Sequence, residues 1–326
     1  MPEVNMAQAL NLTLDHVLST HTDTVILGED VGRTGGVFRV TDGLQAKHGS
    51  ERVVDTPVAE SGIVGAAFGM AISGLRPIAE IQFLGFFYPA YDQVVSHVSR
   101  IRHRSRHRFT APLVIRIPYG AGIGAAEHHS ESTEALFAHT PGLKVVVPSD
   151  PADAAGLLLT AVEDPDPVIF LEPIRSYRRL QGEVASPPEP VPFGQAARRR
   201  QGSDVTLVAY GAMVPDALEA AEALAEDGHE ADVIDLRTLV PLDLDTVLES
   251  VTRTGRAVIV QEGHRTCGFA AELAASIQEE ALYSLQAPVQ RVTGWDTVVP
   301  LRRAEHHYVP SADRIAAAAR HALKGG

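Results

Sequence analysis

Cysteine is almost missing from this chain, and long apolar runs are missing too. Its 326 residues include one cysteine, Cys267, which cannot form an internal disulfide or a cysteine-based zinc site. We therefore expect a reducing compartment. No apolar run reaches the roughly 20 residues that a membrane-spanning helix needs, so the sequence predicts no transmembrane segment.

Basic residues are also in short supply. The 28 lysines and arginines are outnumbered by 41 acidic residues, which gives a formal net charge of -13. Such a charge disfavours non-specific binding to nucleic acid. Residues 1–19 have neither a basic start nor a continuous apolar core, so they do not resemble a secretory signal. We expect a cytoplasmic protein whose partners include neither nucleic acid nor a membrane.

What the chain does have is a regular alternation of strand-like apolar runs with helix-like runs. In residues 1–180 this alternation predicts an α/β domain with a parallel sheet that helices cover on both faces. Residues 181–200 are rich in proline, which fixes φ and removes a backbone donor, so they predict a linker. The alternation resumes in residues 201–326 and predicts a second, smaller α/β domain.

A glycine-rich loop and two histidines follow an apolar strand-like run. Residues 120–127, GAGIGAAE, loosely match the G-x-G-x-x-A dinucleotide fingerprint. The loop follows a late strand rather than the first one, so we favour a flexible glycine loop over NAD binding. His128 and His129 come next, where one imidazole can serve proton transfer. Ordinary surface histidines are the competing interpretation.

Three charged segments have both a functional and a structural interpretation. Glu60 precedes an almost uncharged run, where a buried carboxyl group can share a proton with a heteroaromatic nitrogen. An acid that favours a helix N-terminus is the simpler interpretation. The basic run 100–108 predicts a solvated helix end or a docking site for an acidic partner. Residues 163–167, EDPDP, predict a turn that can also hold a hard cation.

Many short motifs, in order along nearly the whole chain, resemble one family. In the first domain they are LGEDVG (27–32), GGVFRVTDGL (35–44), RVVDTPVAESGIVGAAFGMA (52–71), RPIAEIQF (76–83), PAYDQ (89–93), HHSES (128–132), EALFAH (134–139), PGLKVVVPSDP (141–151) and DPVIFLEP (166–173). In the second they are VAYGAMV (208–214), DLRTLVPLD (235–243), TGRAVIVQE (254–262) and APVQRVTGWD (287–296). The chain thus resembles the β subunits of 2-oxoacid dehydrogenase E1 components.

This resemblance implies a transketolase-like architecture. The first domain would bind the aminopyrimidine half of thiamine diphosphate, and a smaller C-terminal α/β domain would follow. In such proteins an E1 α subunit holds the diphosphate and its Mg²⁺ on a GDG motif, within an α₂β₂ heterotetramer. Residues 28–31 of this chain read GEDV, and the motif is absent. A self-sufficient thiamine enzyme such as a transketolase would need that motif on the same chain.

The resemblance also assigns residues to the cofactor. Glu60 matches the catalytic glutamate that hydrogen-bonds N1′ of the aminopyrimidine. The backbone carbonyl of Val58 would accept a hydrogen bond from the 4′-amino group. Gln82 would line the pocket, and Phe86 would stack on the pyrimidine ring.

A histidine and a cation site complete the assignment. His129, in preference to His128, matches the histidine that helps acyl transfer to the lipoyl arm of E2. Two departures lie nearby: Glu131 replaces a usual glutamine, and 102–108, RHRSRHR, replaces a stretch similar to RYRSGG. Members also hold a structural K⁺ ion through main-chain oxygens and an acidic turn. The matching positions are Leu113, Ala161, Val162, Asp164 and Asp166.

The implied reaction is oxidative decarboxylation of a 2-oxoacid, with acyl transfer to lipoyl-E2. Residues 116–139 look most like those of branched-chain members, which predicts 3-methyl-2-oxobutanoate as the substrate. Pyruvate is the alternative, and acetoin comes after it. A nucleotide-binding redox module built on the glycine loop is the alternative from another class.

Overall fold

The computed structural model describes residues 3–325, and two α/β halves follow each other along this part of the chain. The first half contains β1 (Glu3–Asn5), α1 (Met6–Thr20), β2 (Thr24–Gly28), α2 (Leu44–His48), β3 (Val53–Asp55), α3 (Glu60–Ile72), β4 (Arg76–Glu80), α4 (Tyr91–Ser96), α5 (Ile101–Arg104), β5 (Val114–Tyr119), α6 (Glu134–Ala138), β6 (Lys144–Val146), α7 (Pro151–Glu163), β7 (Val168–Pro173) and β8 (Gln181–Glu183).

The second half begins with a strand at Ala197. It contains β9 (Ala197–Arg200), β10 (Val205–Ala209), α8 (Met213–Glu226), β11 (Ala231–Asp235), β12 (Thr238–Val240), α9 (Leu244–Thr254), β13 (Ala257–Val260), α10 (Phe269–Ala281), β14 (Gln290–Val292), α11 (Arg302–Tyr308) and α12 (Ala312–Leu323). Short 3₁₀ helices cover Leu84–Ala90, Val98–Arg100, Glu127–His129, Ile174–Ser176 and Leu282–Ser284.

The first half is built on a seven-stranded sheet with the order β12-β6-β7-β5-β4-β2-β3. All neighbours in this sheet are parallel except β12, which pairs antiparallel with β6. The central strand β5 is buried along its whole length, as expected of a sheet that is covered on both faces. The predicted parallel α/β fold is confirmed.

The second half has a smaller, five-stranded sheet with the order β14-β13-β10-β11-β9. Only β9 is antiparallel to its neighbour in this sheet. Two edge strands lie where the sequence did not predict them. Strand β9 falls inside the proline-rich segment 181–200, and β12 follows the second half's own β11 but extends the first sheet.

Side chains of the large sheet alternate between two hydrophobic clusters, as the two-residue period of a strand requires. Val114 packs in the cluster that includes α1 and α7, whereas Ile115 packs in the cluster that includes α3, α9 and α10. Helix α1 begins with a capping box in which Asn5 and Gln8 each accept from the other's amide at 3.0 Å. Pro151 occupies the first turn of α7, where its missing N–H leaves no hydrogen bond unmade.

Three charged side chains interrupt the apolar strands of the large sheet. Arg116 on β5 is fully buried and donates to Glu80 on β4 at 2.7 Å and to both oxygens of Glu172 on β7 at 2.7 and 2.8 Å. Burial raises the pKa of Glu80, although the guanidinium opposes that shift. The ion triad links three neighbouring strands and so fixes their relative positions near their carboxyl ends.

Polar contacts join the two halves. Arg199 on β9 pairs with Asp150 of the first half at 2.6 Å and with Asp235 of the second half at 2.8 Å. The Tyr210 hydroxyl donates to Glu134 at 2.7 Å from a fully buried position. Among residues 3–325, no helix is both long enough and apolar enough to cross a membrane.

Candidate active site

The carboxyl ends of four adjacent strands, β5, β4, β2 and β3, define the candidate site. In parallel sheets, ligands bind beyond this edge. Glu29 follows β2, Glu60 follows β3, Gln82 and Phe86 follow β4, and His129 follows β5. Because these strands are neighbours in the sheet, the fold brings the predicted catalytic and cofactor residues to one edge.

Two carboxylates lie together at this edge. Glu60 is half-buried in the first turn of α3, where the preceding Ala59 offers no side-chain cap. Glu29 is buried, and one of its carboxylate oxygens has no hydrogen-bond partner among the described residues. Burial, and then the charge of Glu60, raise the pKa of Glu29, while a hydrogen bond from the Ala59 backbone opposes the shift. Glu29 therefore binds a proton more tightly than an isolated, solvated carboxylate.

Sequence reasoning missed Glu29 as a functional candidate. The only available signal was its place in the LGEDVG motif, directly after an apolar strand. Its proximity to Glu60 is a consequence of the pairing of β2 with β3, in which Gly28 lies opposite Asp55. No local pattern in the sequence reveals that pairing.

Three rings form the aromatic side of the site. His129 lies edge-on to Phe83 with ring centroids 4.6 Å apart, and edge-on to Phe86 at 5.0 Å. Phe83 and Phe86 also contact each other edge-on at 5.4 Å. Gln82 donates to Asp30 at 3.4 Å, which places its amide beside the acidic loop after β2.

The two histidines are not equivalent. His129 is half-buried, and its Nδ1 is buried without a hydrogen-bond partner among residues 3–325. His128 is exposed, and its carbonyl oxygen lies 2.1 Å from where a Cβ on Gly85 would be. Only glycine at position 85 therefore lets the histidine loop approach the 3₁₀ helix that carries Phe86.

Helix α3 and the 3₁₀ helix Leu84–Ala90 are tied together next to the site. The Ser61 hydroxyl donates to the Pro89 carbonyl, so the residue after Glu60 holds the segment that contains Phe86. Val58, just before Glu60, is 81% exposed. Its apolar side chain is therefore open to solvent at the mouth of the site.

The five residues matched to a K⁺ site lie elsewhere. Leu113 precedes β5, and Asp164 and Asp166 precede β7, so they lie at the amino edge of the sheet. The Val162 carbonyl accepts from the Arg76 guanidinium at 2.8 Å, and the Leu113 carbonyl accepts from the Val168 amide at 2.9 Å. Ala161 is buried within α7.

Basic side chains already pair with the acidic turn of that region. Lys144 pairs with Asp164, and Arg102, from the basic run, pairs with Asp166 at 2.6 Å. In the same run, Arg106 and His107 have φ values of +54° and +63°. The family's usual stretch has two glycines at these positions, and glycine adopts positive φ values readily. Arg106 and His107 have positive φ values despite the substitution.

The glycine loop after β5 donates its amides to the protein itself. The Ala121 amide donates to Glu262, and the Gly122 and Gly124 amides donate to the two oxygens of Glu305 at 2.7 and 2.8 Å. Burial raises the pKa of Glu262 to about 7, and nearby Arg175 opposes the shift. Because these amides are occupied, they do not present a cradle for a dinucleotide phosphate.

Comparison with known proteins first defines the class. Residues 2–179 match the family model of the transketolase pyrimidine-binding domain, and residues 194–315 match that of the transketolase C-terminal domain. A split-gene transketolase, described as an inactive β4 tetramer, superposes with a TM-score of 0.82 at 26% identity and covers 99% of both chains. A mutant transketolase from Pichia stipitis shares the fold, with a TM-score of 0.72 at 15% identity over 99% of this chain and 46% of that one.

Curated relatives then narrow the class. The β subunit of the pyruvate dehydrogenase E1 component from Acholeplasma laidlawii is 49% identical over 317 residues, which are 97% of each chain. The corresponding subunits of Staphylococcus epidermidis and Staphylococcus aureus are 47% and 44% identical, over 97% and 99% of this chain and 97% and 100% of theirs. The chain belongs to the transketolase-like family of 2-oxoacid dehydrogenase E1 β subunits, which confirms the resemblance seen in its motifs.

The raised proton affinity of Glu29 predicts a pH-dependent stability effect. Because the folded protein binds this proton more tightly than the unfolded chain, ionisation of Glu29 destabilises the fold as the pH rises above the ordinary glutamate range. Glu29→Gln should therefore stabilise the protein by about 1 kcal/mol at pH 8, a typical single-residue effect, and by less toward pH 4. Thermal unfolding across this range measures the difference, with Glu51→Gln, at an exposed glutamate, as the control. A Glu29→Gln protein less stable than wild type at pH 8 would contradict the assignment.

Proposed function

We propose that this chain is the β subunit of an E1 component that decarboxylates pyruvate and passes the acyl group to a lipoyl-bearing E2. The family makes it a subunit of an acyl-transferring 2-oxoacid dehydrogenase. The three relatives described above, 44–49% identical over nearly the whole chain, are named for pyruvate. They favour pyruvate over 3-methyl-2-oxobutanoate, which the stretch 116–139 had suggested.

The observation that carries the proposal is the carboxylate pair Glu29 and Glu60 at the open edge of the sheet. Thiamine diphosphate, on which the family's chemistry depends, has an aminopyrimidine ring whose nitrogens need one proton donor and one acceptor. Glu60 would donate a hydrogen bond to N1′, and the exposed Val58 leaves its backbone accessible to the 4′-amino group. Phe86 would stack on the ring, and Gln82 would line its edge.

A proton held on Glu29, whose pKa is raised by burial and by the charge of Glu60, would be available for this role. A carboxylic acid can donate a hydrogen bond to a ring nitrogen only when it is protonated, and an isolated glutamate is mostly ionised at neutral pH. A second carboxylate in the same site keeps a proton on the pair. The bound coenzyme supplies the carbanion-stabilising chemistry, and the pair sets the protonation state of its pyrimidine ring.

His129 is suited to the acyl-transfer step. Its ring is oriented by Phe83 and Phe86, and no partner among the described residues 3–325 competes for a proton at its Nδ1. A histidine held in this way can exchange a proton with the thiol groups of the lipoyl arm. His128 is more exposed, and its ring approaches only the outer side of this cluster, with its centroid 5.5 Å from that of Phe86.

The proposed partners are inferred from the surface that remains exposed at the carboxyl edge of the large sheet. We infer that an E1 α subunit covers Val58 and contributes the diphosphate and Mg²⁺ site on its GDG motif, within an α₂β₂ heterotetramer. We also propose a potassium ion bound near the carbonyls of Leu113 and Val162. The proposed domain limits are 1–180, 181–200 and 201–326.

Substrate choice is tested by steady-state kinetics of the reconstituted α/β pair. The relatives lead us to expect a kcat/KM for pyruvate at least tenfold above that for 3-methyl-2-oxobutanoate, a difference that pocket contacts worth about 1–3 kcal/mol provide. Acetoin serves as a third substrate. A preference for the branched 2-oxoacid would overturn the pyruvate assignment and leave the E1 β assignment intact.

Replacing the catalytic glutamate tests the cofactor chemistry. Glu60→Gln cannot exchange its proton with the pyrimidine ring, so we expect kcat for decarboxylation to fall by about 100-fold or more. The tetramer should still assemble, as measured by analytical ultracentrifugation. Glu51→Gln removes an exposed glutamate and provides the control. Near-normal turnover of Glu60→Gln would refute its role.

The role assigned to His129 is tested by measuring decarboxylation and acyl transfer separately. His129→Ala should reduce acylation of a free lipoyl domain by at least about 100-fold, the usual size of an acid–base contribution. Decarboxylation measured with an artificial electron acceptor should fall much less, because that assay does not use the lipoyl thiols. His128→Ala, one residue earlier, is the matched control. Equal losses in the two assays for His129→Ala would count against the assignment.

A further inference from the structure

The two ends of the loop that carries His129 are held by a residue from the second half of the chain. It leaves the sheet at Gly120 and returns at Glu131, where the Gly120 amide donates to the Glu131 carbonyl at 2.9 Å. Glu262 contacts both ends, because its carboxylate accepts from the Ala121 amide and from the Ser132 hydroxyl, the latter at 3.2 Å. Residues 120–131 therefore form a loop whose two ends are joined by hydrogen bonds, and we call it the histidine loop.

Glu305 on α11 holds the first limb of the histidine loop. Its two carboxylate oxygens accept from the amides of Gly122 and Gly124 at 2.7 and 2.8 Å. The side chain is buried, so water competes little for these bonds. Both oxygens act as acceptors, and a neutral amide side chain would present an N–H group to one of the two donors.

Three glycines give this limb its backbone shape. Gly120, Gly122 and Gly124 have φ values of +97°, +101° and +73°, a region that glycine adopts readily. A Cβ at Gly122 would lie 2.6 Å from Cδ of Arg175, and one at Gly124 would lie 2.8 Å from Cδ of Arg302. Arg175 of the first half and Arg302 of the second half thus pack against the limb.

The other limb of the same loop reaches the candidate site. Its 3₁₀ helix Glu127–His129 packs against the helix Leu84–Ala90, where the missing side chain of Gly85 admits the His128 carbonyl. The ring of His129 then lies against Phe86. A single short loop therefore connects carboxylates of the C-terminal half with the histidine of the site.

We propose that Glu305 is a positioning residue for acyl transfer, which acts with Glu262 by fixing the histidine loop and, through it, the ring of His129. This inference rests on the proposed function for the step that it affects. Among residues 3–325 Glu305 bonds the histidine loop and not Glu29, Glu60 or Gln82, so we expect it to affect mainly the step that uses His129.

The test compares two substitutions that remove the same charge near the same cleft. Glu305→Gln replaces an acceptor of the loop amides, whereas Glu219→Gln alters a 65% exposed glutamate that lines the same 540 Å³ cleft and does not bond the loop. Both variants are assembled with the α subunit. Hydrogen exchange of residues 119–131, acylation of a free lipoyl domain, and decarboxylation with an artificial acceptor are measured for each.

For Glu305→Gln we expect faster exchange in residues 119–131 and a kcat for lipoyl-domain acylation roughly tenfold lower, since a small displacement of a catalytic group has effects of this order. The KM for pyruvate and the artificial-acceptor rate should change less than about twofold. Glu219→Gln should match wild type in all three measurements. Glu305→Asp, which keeps the charge, should recover part of the lost acylation.

Three results would overturn the inference. Unchanged exchange in Glu305→Gln would show that the carboxylate does not fix the loop. Faster exchange with normal acylation, or with equal loss in both assays, would show that the contact does not position His129. If the wild-type assembly turns over no 2-oxoacid, the proposed function fails, and the exchange experiment still decides whether Glu305 fixes the loop.

Discussion

The candidate site is organised around two carboxylates, Glu29 and Glu60, that lie close together at the carboxyl edge of a parallel sheet. Among residues 3–325 neither pairs with a basic side chain, and burial, together with the charge of Glu60, raises the pKa of Glu29. An arrangement of this kind costs folding free energy, and it is retained where it serves chemistry. Here it provides a proton at the place where a heteroaromatic ring would be bound.

The rest of the first half holds that pair in place. Strands β2 and β3 set the spacing, and α3 begins at Glu60 because the chain turns back over the sheet there. Deeper in the same sheet, Arg116 compensates two other buried glutamates, Glu80 and Glu172, so the acidic character of this edge does not disrupt the core. The second half contributes an edge strand, β12, and the carboxylates that fix the histidine loop.

The sequence predicted the parts that depend on local pattern. The alternation of strands and helices agrees with the structure, and so does the position of the two histidines after a strand-like run and a glycine loop. It did not predict β12, whose three residues show no period, or Glu29, whose role depends on a pairing between strands. The importance of Gly85 and Glu305 was not predicted for the same reason, since each acts through a contact with a residue more than 40 positions away.

The most direct test of the central claim is calorimetric titration of thiamine diphosphate with Mg²⁺ into the chain alone and into its mixture with an E1 α subunit. An edge that provides only the pyrimidine half of a binding site should give no measurable heat of binding alone and saturable binding with the partner. Glu60→Gln should weaken that binding. Tight binding of the coenzyme by the isolated chain, unaffected by the partner, would contradict a cofactor site shared between two polypeptides.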